Sequence, residues 1–300
     1  MQNFITLFKN AKQASQHERT LIFSNALNSD DPIITKFAIL LLNPNDAKHL
    51  NNALHWACEN GRLDIVNVLI ENGADIESRD YLGNTSLGIA AKNGQIHIVK
   101  KLITDGANVH PSANNAPIYL SFRYKYNPDV IKELIKAGAS VTAHCYYESA
   151  PISMAVSRGD IDMVKTLIKA GAEISVSNNE PIYIACNRGY FDIANELIKA
   201  GADVNFVYYR RDIQSLILLA YERGYYNIVC LLIKSNADVT VQSNYILRHA
   251  IDDNQIDIIK TILKYNSNVK IYNYMLNYAY EKNNIEVLNA IAMFSPKFIK

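Results

Sequence analysis

Residues 159–176 read GDIDMVKTLIKAGAEISV. The same phrase returns at 189–204 as GYFDIANELIKAGADV, and it stands earlier at 61–76 as GRLDIVNVLIENGADI. Each copy opens on one glycine, carries the spacing of an amphipathic helix, and closes on Gly-Ala-acid-aliphatic. Most of the chain is variation on this phrase, so its period decides the fold.

Aligned on the closing glycine, the column runs Gly73, Gly106, Gly138, Gly171, Gly201, then Asn236 and Asn266, with steps of 33, 32, 33, 30, 35 and 30 residues. A second column, twelve residues upstream in most copies, holds Gly61, Gly94, Gly159, Gly189, Gly224, then Asn254 and Asn283. Glycine yields to asparagine and to little else. Both columns lie just past a helix end, where the chain enters the left-handed region. Glycine goes there freely, and asparagine goes more readily than other side-chain residues. Lys125 breaks the upstream column, and Asn127-Pro128 follows it. The expectation there is a left-handed turn at Asn127 with Pro128 opening the next helix.

Four residues before the upstream column stands a small residue: Ala57, Ala90, Ser121, Ala155, Ala185, Ala220, Ala250 and Ala279. Three residues before that stands an aliphatic, from Leu54 and Leu87 through Ile118, Ile152, Ile182 and Ile217 to Leu247 and Leu276. A small side chain lets two helices approach closely. Each unit is therefore a short helix, a tight turn, a longer amphipathic helix and a loop. One such pair cannot bury its apolar face, whereas stacked pairs can.

These motifs resemble the ankyrin repeat. The family phrase T-P-L-H-x-A is matched best by Asn52-Ala53-Leu54-His55-Trp56-Ala57 and by Thr85-Ser86-Leu87-Gly88-Ile89-Ala90. The closing phrase G-A-D-V-N is intact over 201–205, and Pro117, Pro151 and Pro181 stand at the first helical position of later copies. The resemblance implies an all-α solenoid of about eight helix-turn-helix repeats. Residues 51–300 form the array, in units near 51–83, 84–114, 115–147, 148–178, 179–212, 213–243, 244–270 and 271–300. Residues 1–50 do not fit the phrase and are expected to form a helical N-terminal cap over the first repeat; a separate interaction helix at 3–10 is the other reading. The same resemblance implies that His55 hydrogen-bonds an adjacent loop.

Composition narrows the function classes. The 300 residues are 49% apolar, which suffices for a continuous core, and the net charge of +1 argues against a global polyanion binder. The 4 cysteines show no metal-ligand or disulfide spacing; Cys58 and Cys186 follow the small residue of the repeat and are expected to be buried in a reducing compartment. The N-terminus lacks the pattern of a secretory signal. Its longest apolar run, 37–42, is far too short to span a bilayer. The chain has no phosphate-binding glycine loop, no H-E-x-x-H, no nucleophile elbow and no paired cysteines, so neither catalysis nor a cofactor or metal is expected. Asp252, Asp253 and Asp257 read as solvated helix-turn carboxylates rather than a cation site.

Binding is the class that remains. In this family the first helix of each pair faces the partner on the concave side, together with the loops. Just before the upstream turn, repeats four to six place Arg158, Arg188 and Arg223 in one column. Successive repeats should lie about 10 Å apart, so these form a basic ridge, extended by Arg123, Tyr124 and Lys92. Two long loops flank it, one carrying Tyr146 and Tyr147, the other Tyr208, Tyr209, Arg210 and Arg211. Tyrosine and arginine are enriched at interface hot spots. Where the period is 30, as at 175–178, the loop should be short and plain. A cation before the turn also offsets a helix dipole by about 0.3–1 kcal/mol, so the column alone has a structural reading beside the functional one.

The expected partner is a protein with an acidic or phosphate-bearing surface, bound by a monomer acting as scaffold, adaptor or host-directed effector. Nucleic acid on the same ridge is the alternative, opposed by the carboxylates at Asp252 and Asp253. No membrane partner is expected. No box resembling a ubiquitin-ligase adaptor motif stands at the C-terminus. The resemblance also marks Asn205 for asparaginyl hydroxylation, with Leu197 eight residues before and Asp203 two before. Abundant Asn, Ile, Lys and Tyr imply AT-rich codons, and with the degenerate repeats this is similar to ankyrin proteins of giant viruses and intracellular bacteria. The expected location is cytoplasmic, in the host if so.

Overall fold

A computed structural model describes residues 25–26, 38–39, 47–110, 116–142, 149–209, 213–266 and 268–294. The chain forms two compact units, Met1–Pro151 and Ile152–Lys300. In the first, helix α1 (Ala47–Asn60) pairs with α2 (Leu63–Glu71), α3 (Ser86–Lys92) with α4 (Ile96–Thr104), and α5 (Pro117–Arg123) with α6 (Pro128–Lys136). In the second, α7 (Pro151–Arg158), α9 (Val176–Arg188), α11 (Leu216–Glu222), α13 (Val241–Asp252) and α15 (Val269–Glu281) are the first helices. Their partners are α8 (Ile161–Lys169), α10 (Phe191–Lys199), α12 (Tyr226–Lys234), α14 (Ile256–Tyr265) and α16 (Ile285–Ala292). These are the eight expected pairs. The first of them begins at Ala47, four residues ahead of the expected unit boundary.

Within each unit first helices pack on first helices and second on second. α1 meets α3 and α3 meets α5, while α2 meets α4 and α4 meets α6. In the second unit α9, α11, α13 and α15 stack in turn, as do α8, α10, α12, α14 and α16. The small-residue column explains the close approach: all eight of its members, Ser121 included, are 0% exposed. The aliphatic column is buried from Leu54 to Leu247, and Leu276 in the last repeat is half-buried.

The turn between paired helices has the expected left-handed residue. Gly189 sits at φ +74°, and a Cβ there would lie 2.6 Å from the ring of Tyr225, the residue just past the next repeat's turn. Asn254 and Asn283 reach the same region at φ 53° and 51°, and Asn236 reaches it at φ 67° in the closing column. Two expectations fail. Asn266 is extended, at φ −108° and ψ 106°, and closes no left-handed turn. Asn127 is also extended, at φ −139°. It acts instead as the cap of α6, its Oδ1 accepting from the backbone N–H of Asp129 at 3.0 Å and of Val130 at 3.4 Å. Pro128 does open that helix.

The unequal periods have a structural cause. The 35-residue step from Gly201 to Asn236 contains strands β1 (Val207–Tyr209) and β2 (Ile213–Ser215), an antiparallel ribbon with Val207 opposite Ser215. The 30-residue steps from Gly171 and Asn236 contain no ribbon among the described residues. They are not plain loops, contrary to expectation. Ser177, Asn178 and Asn179 run left-handed at φ 48°, 58° and 55°, and Gln242, Ser243 and Asn244 do the same at 46°, 57° and 65°. Each run is a single left-handed turn, closed by Asn179 N–H to the Ser175 carbonyl at 3.3 Å or Asn244 N–H to Thr240 at 3.1 Å. Left-handed non-glycine residues cost about 1–2 kcal/mol each, and burial of Val176 and Ile246 beside them offsets part of that.

His55 takes the role that the family resemblance implies. Its Nε2 lies 3.1 Å from both the carbonyl oxygen and the Oγ of Ser78, tying α1 to the following loop. Cys58 and Cys186 are fully buried as expected, and burial pushes both thiols up, that of Cys186 to about 12. Cys58, Cys186 and Cys230 are free thiols.

Candidate functional site

Three first helices of the second unit end on arginines. Arg158 is the last residue of α7, Arg188 the last of α9, and Arg223 the C-cap of α11. The amphipathic period that buries Ile152 and Ala155, Ile182 and Ala185, or Ile217 and Ala220 leaves these arginines in solvent, and all three are exposed. Arg158 Nη1 donates to the Met154 carbonyl at 3.2 Å. Arg188 Nη1 donates to the Ser157 carbonyl at 2.6 Å, so it reaches back to the end of the preceding first helix. The two side chains therefore share one edge of the stack. Both bonds go to carbonyls near a helix C-terminus, where the dipole favours a cation.

In the first unit, Arg123 and Tyr124 gather with Lys92. Tyr124 is 50% exposed, with the Lys92 ammonium 4.7 Å and the Arg123 guanidinium 5.4 Å from its ring centroid. The backbone adds a link, since Lys125 N–H donates to the Lys92 carbonyl at 3.2 Å. Cation–π contacts at exposed sites contribute about 0.5–1 kcal/mol and hold such side chains in place. Tyr146, Tyr147, Arg210 and Arg211 lie outside the described residues. Tyr208 and Tyr209 supply backbone to β1, and their side chains lie outside them too.

The acidic break at Asp252 and Asp253 is not merely solvated. Tyr221 Oη donates to Asp253 Oδ2 at 2.7 Å, and Tyr278 Oη donates to Asp252 Oδ2 at 2.9 Å. Lys282 Nζ stands 3.4 Å from Asp252 Oδ1. Burial first, and the bond to Asp253 second, push the Tyr221 phenol well above its ordinary value. The bonds to Tyr278 and then to Asp252 raise Lys282. Tyr245 extends the group, its ring 4.0 Å from the His249 ring and edge-on to Tyr221 at 6.4 Å. Reading single repeats misses these contacts. The signal was present in the spacing: each tyrosine and its carboxylate stand about one repeat apart, 32 residues for Tyr221 and Asp253 and 26 for Tyr278 and Asp252.

Asn205 is exposed, but its amide is engaged with the next repeat. Its Oδ1 accepts from Asp238 N–H at 2.8 Å, and its Nδ2 donates to the Asn236 carbonyl at 3.3 Å. Glu77 occupies the matching place after Gly73 and accepts from Asn108 N–H at 2.7 Å. Among the described residues no three His, Cys, Asp or Glu side chains converge as a metal site, and no helix is long and apolar enough to cross a membrane.

The family model for ankyrin repeats (3 copies) matches residues 23–114 and 118–208. An ankyrin repeat domain from Acinetobacter baumannii is similar in structure, with TM-score 0.54 and 27% identity, over 62% of this chain and 98% of that domain. The human ASB11 ankyrin repeat domain shares the fold at TM-score 0.50 and 23% identity, over 62% of this chain and 84% of that one. In sequence, the E3 ubiquitin-protein ligase XBAT33 of Arabidopsis thaliana is 41% identical over 63 residues, which is 19% of this chain and 12% of the ligase. The probable E3 ubiquitin-protein ligase XBOS33 of Oryza sativa subsp. japonica is 53% identical over 38 residues, 13% of this chain and 7% of that protein. The matched segments are thus a small part of both ligases.

Proposed function

The chain belongs to the ankyrin-repeat family, and we propose that it is a non-catalytic binding module, a scaffold, adaptor or host-directed effector, for a protein with an acidic or phosphate-bearing surface. Ankyrin repeats are in general protein–protein interaction modules. The finer reading rests on one observation: Arg158, Arg188 and Arg223 stand exposed at the same helix end in three consecutive repeats of one unit. Planar guanidinium groups grip carboxylate and phosphate in pairs, which a lysine column would not do as well. Engagement of Asp252 by Tyr278 and Lys282, and of Asp253 by Tyr221, supports this reading by blunting the nearest repulsive charge on that face. In the same reading residues 1–50 cap an array spanning 51–300, and the protein works as a monomer in the cytoplasm.

The test is the triple variant R158E/R188E/R223E. Immobilised phosphoserine- and glutamate-rich peptides should retain the native chain and release the triple variant, while the two proteins melt together. Equal retention removes the column from the function. Random-sequence DNA and RNA form the second arm: a steep loss of binding with added salt, abolished in the variant, would move the column to nucleic acid. Asn205 is proposed as a hydroxylation site, read by intact mass after expression with an asparaginyl hydroxylase. Because its amide bridges to Asn236 and Asp238, modification requires that loop to open, and no added mass after heating to the edge of the melt would reject the site.

A further inference from the structure

The first unit carries a second surface that the arginine column does not use. The finger between α2 and α3 is a tight hairpin with Arg79 bridged to Thr85. Asp80 ties it from within. Its N–H donates to the Asn84 carbonyl at 2.9 Å, and its Oδ1 accepts from the N–H groups of Leu82 and Asn84, both at 2.8 Å. Its Oδ2 accepts from Asn84 Nδ2 at 3.0 Å, and Gly83 takes the left-handed place at φ +81°. Four hydrogen bonds thus hold a tip whose Tyr81 and Leu82 are large and apolar. Tyr81 is 94% exposed and Leu82 is 53% exposed.

A rigid tip that holds a tyrosine and a leucine so far exposed presents apolar surface to water. Held in place, those side chains lose little entropy when something covers them. Between the finger and helices α1 and α3 lies a groove of about 610 Å3, and Trp56, Tyr81 and Leu82 line it together with Lys48, Arg79 and Lys92. Trp, Tyr and Arg are the side chains that dominate interface hot spots. Two carboxylates, Glu59 and Asp80, stand against the three cations. Asp80 accepts hydrogen bonds within the hairpin, Arg79 Nη1 donates to the Gly83 carbonyl at 3.1 Å, and the Lys92 ammonium lies over the Tyr124 ring; three cations against two carboxylates leave the lining cationic on balance. The volume suits a few side chains, not the face of a folded domain.

We propose that this groove docks a short extended peptide segment of a partner protein, in which one large apolar side chain is flanked by carboxylates. The apolar side chain packs among Trp56, Tyr81 and Leu82, and the carboxylates meet Lys48, Arg79 and Lys92. This surface uses none of Arg158, Arg188 and Arg223, although it shares Lys92 with the extension of that ridge, and it stands or falls without the three arginines.

Trp56 is the chain's 1 tryptophan, so its emission reports on the groove directly. A displayed library of random short peptides is selected against the immobilised full chain, and the enriched peptides are synthesised and titrated while Trp56 emission is followed. The expected result is a set of sequences with a large aliphatic or aromatic residue close to Asp or Glu, each giving a saturable emission change. Leu82→Asp and Lys48→Glu, both changes at exposed positions, should each weaken binding about tenfold or more with unaltered melts. R158E/R188E/R223E should leave it unchanged. The proposal is overturned if nothing is enriched over the uncoated support. It is equally overturned if enriched peptides are basic, bind Leu82→Asp as well as the native chain, or leave Trp56 emission unmoved.

Discussion

Repeats four to six and repeats seven to eight make the same turn by different means. In the former, Gly159 and Gly189 go left-handed and a tyrosine ring of the next repeat lies over each, Tyr190 at 3.2 Å and Tyr225 at 2.6 Å from where a Cβ would be. In the latter, Asn254 and Asn283 go left-handed with side chains in place. There the cover is an amide: Asn284 Nδ2 donates to Asn254 Oδ1 at 2.6 Å and to the Ile251 carbonyl at 3.1 Å. Gly224 lies at the boundary. It has the same φ, +75°, but no atom within 4 Å of a Cβ, because Gln255 turns away toward the Asp253 carbonyl. Glycine therefore serves two needs that sequence alone does not separate: backbone freedom at all three positions, and space for a neighbour at only two.

Alanine scanning of the glycines tests that separation and should give the largest effect. Gly224→Ala meets only the backbone penalty, about 1–2 kcal/mol. Gly189→Ala meets the same penalty and the Tyr225 ring, for a total near 3 kcal/mol. Urea melts of both variants measure the difference. In a Tyr225→Ala background the excess at Gly189 should vanish. Equal losses at the two glycines would mean that the ring gives way freely and the packing distinction is empty.

The periodic part of the molecule was legible because repetition turns a weak local signal into a column. Eight small residues at one register, all buried, are such a column, and so is the choice of asparagine where glycine is missing. What escaped was whatever breaks the register. Asn266 occupies the closing column yet stays extended, because the column predicts only that a left-handed residue is tolerated there. Asn127 looked like a displaced turn, but before Pro128 the backbone favours an extended conformation, and a side-chain cap fits that. The left-handed runs at 177–179 and 242–244 carry no glycine, and their asparagines do not stand out in a chain where asparagine is abundant. For the candidate site, the exposed arginines followed from helical period alone. The Tyr221–Asp253 and Tyr278–Asp252 bonds needed one repeat to be laid on the next.

Those bonds give the middle-sized prediction. Tyr221→Phe removes one charge-assisted hydrogen bond from a buried phenol and should cost about 1–2 kcal/mol at neutral pH. It should also change the alkaline limb. The folded phenol is held above its ordinary value of 10.0, so the folded state keeps a proton that the unfolded state gives up. That contribution is complete below about pH 10 and is lost as pH climbs through the raised folded value. Native protein should therefore lose more stability than Tyr221→Phe between neutral pH and strongly alkaline pH. Parallel alkaline limbs would show that the Asp253 bond does not bind the proton tightly.

The smallest effect belongs to the asparagine turns and bears most directly on why repeats seven and eight abandon glycine. Asn283 sits at φ 51°. Glycine there would relieve left-handed strain but add freedom to the unfolded chain, and the two nearly cancel. Asn283→Gly should move stability by no more than about 0.5 kcal/mol, whereas Asn283→Ala should lose about 1 kcal/mol because alanine gains neither advantage. At Asn254 the same glycine change also removes the acceptor for Asn284, so Asn254→Gly should cost about 1 kcal/mol more than Asn283→Gly. Chemical melts of the three variants suffice. If glycine is equally harmless at both positions, the amide pair carries no stability, and asparagine persists there for a reason other than covering the turn.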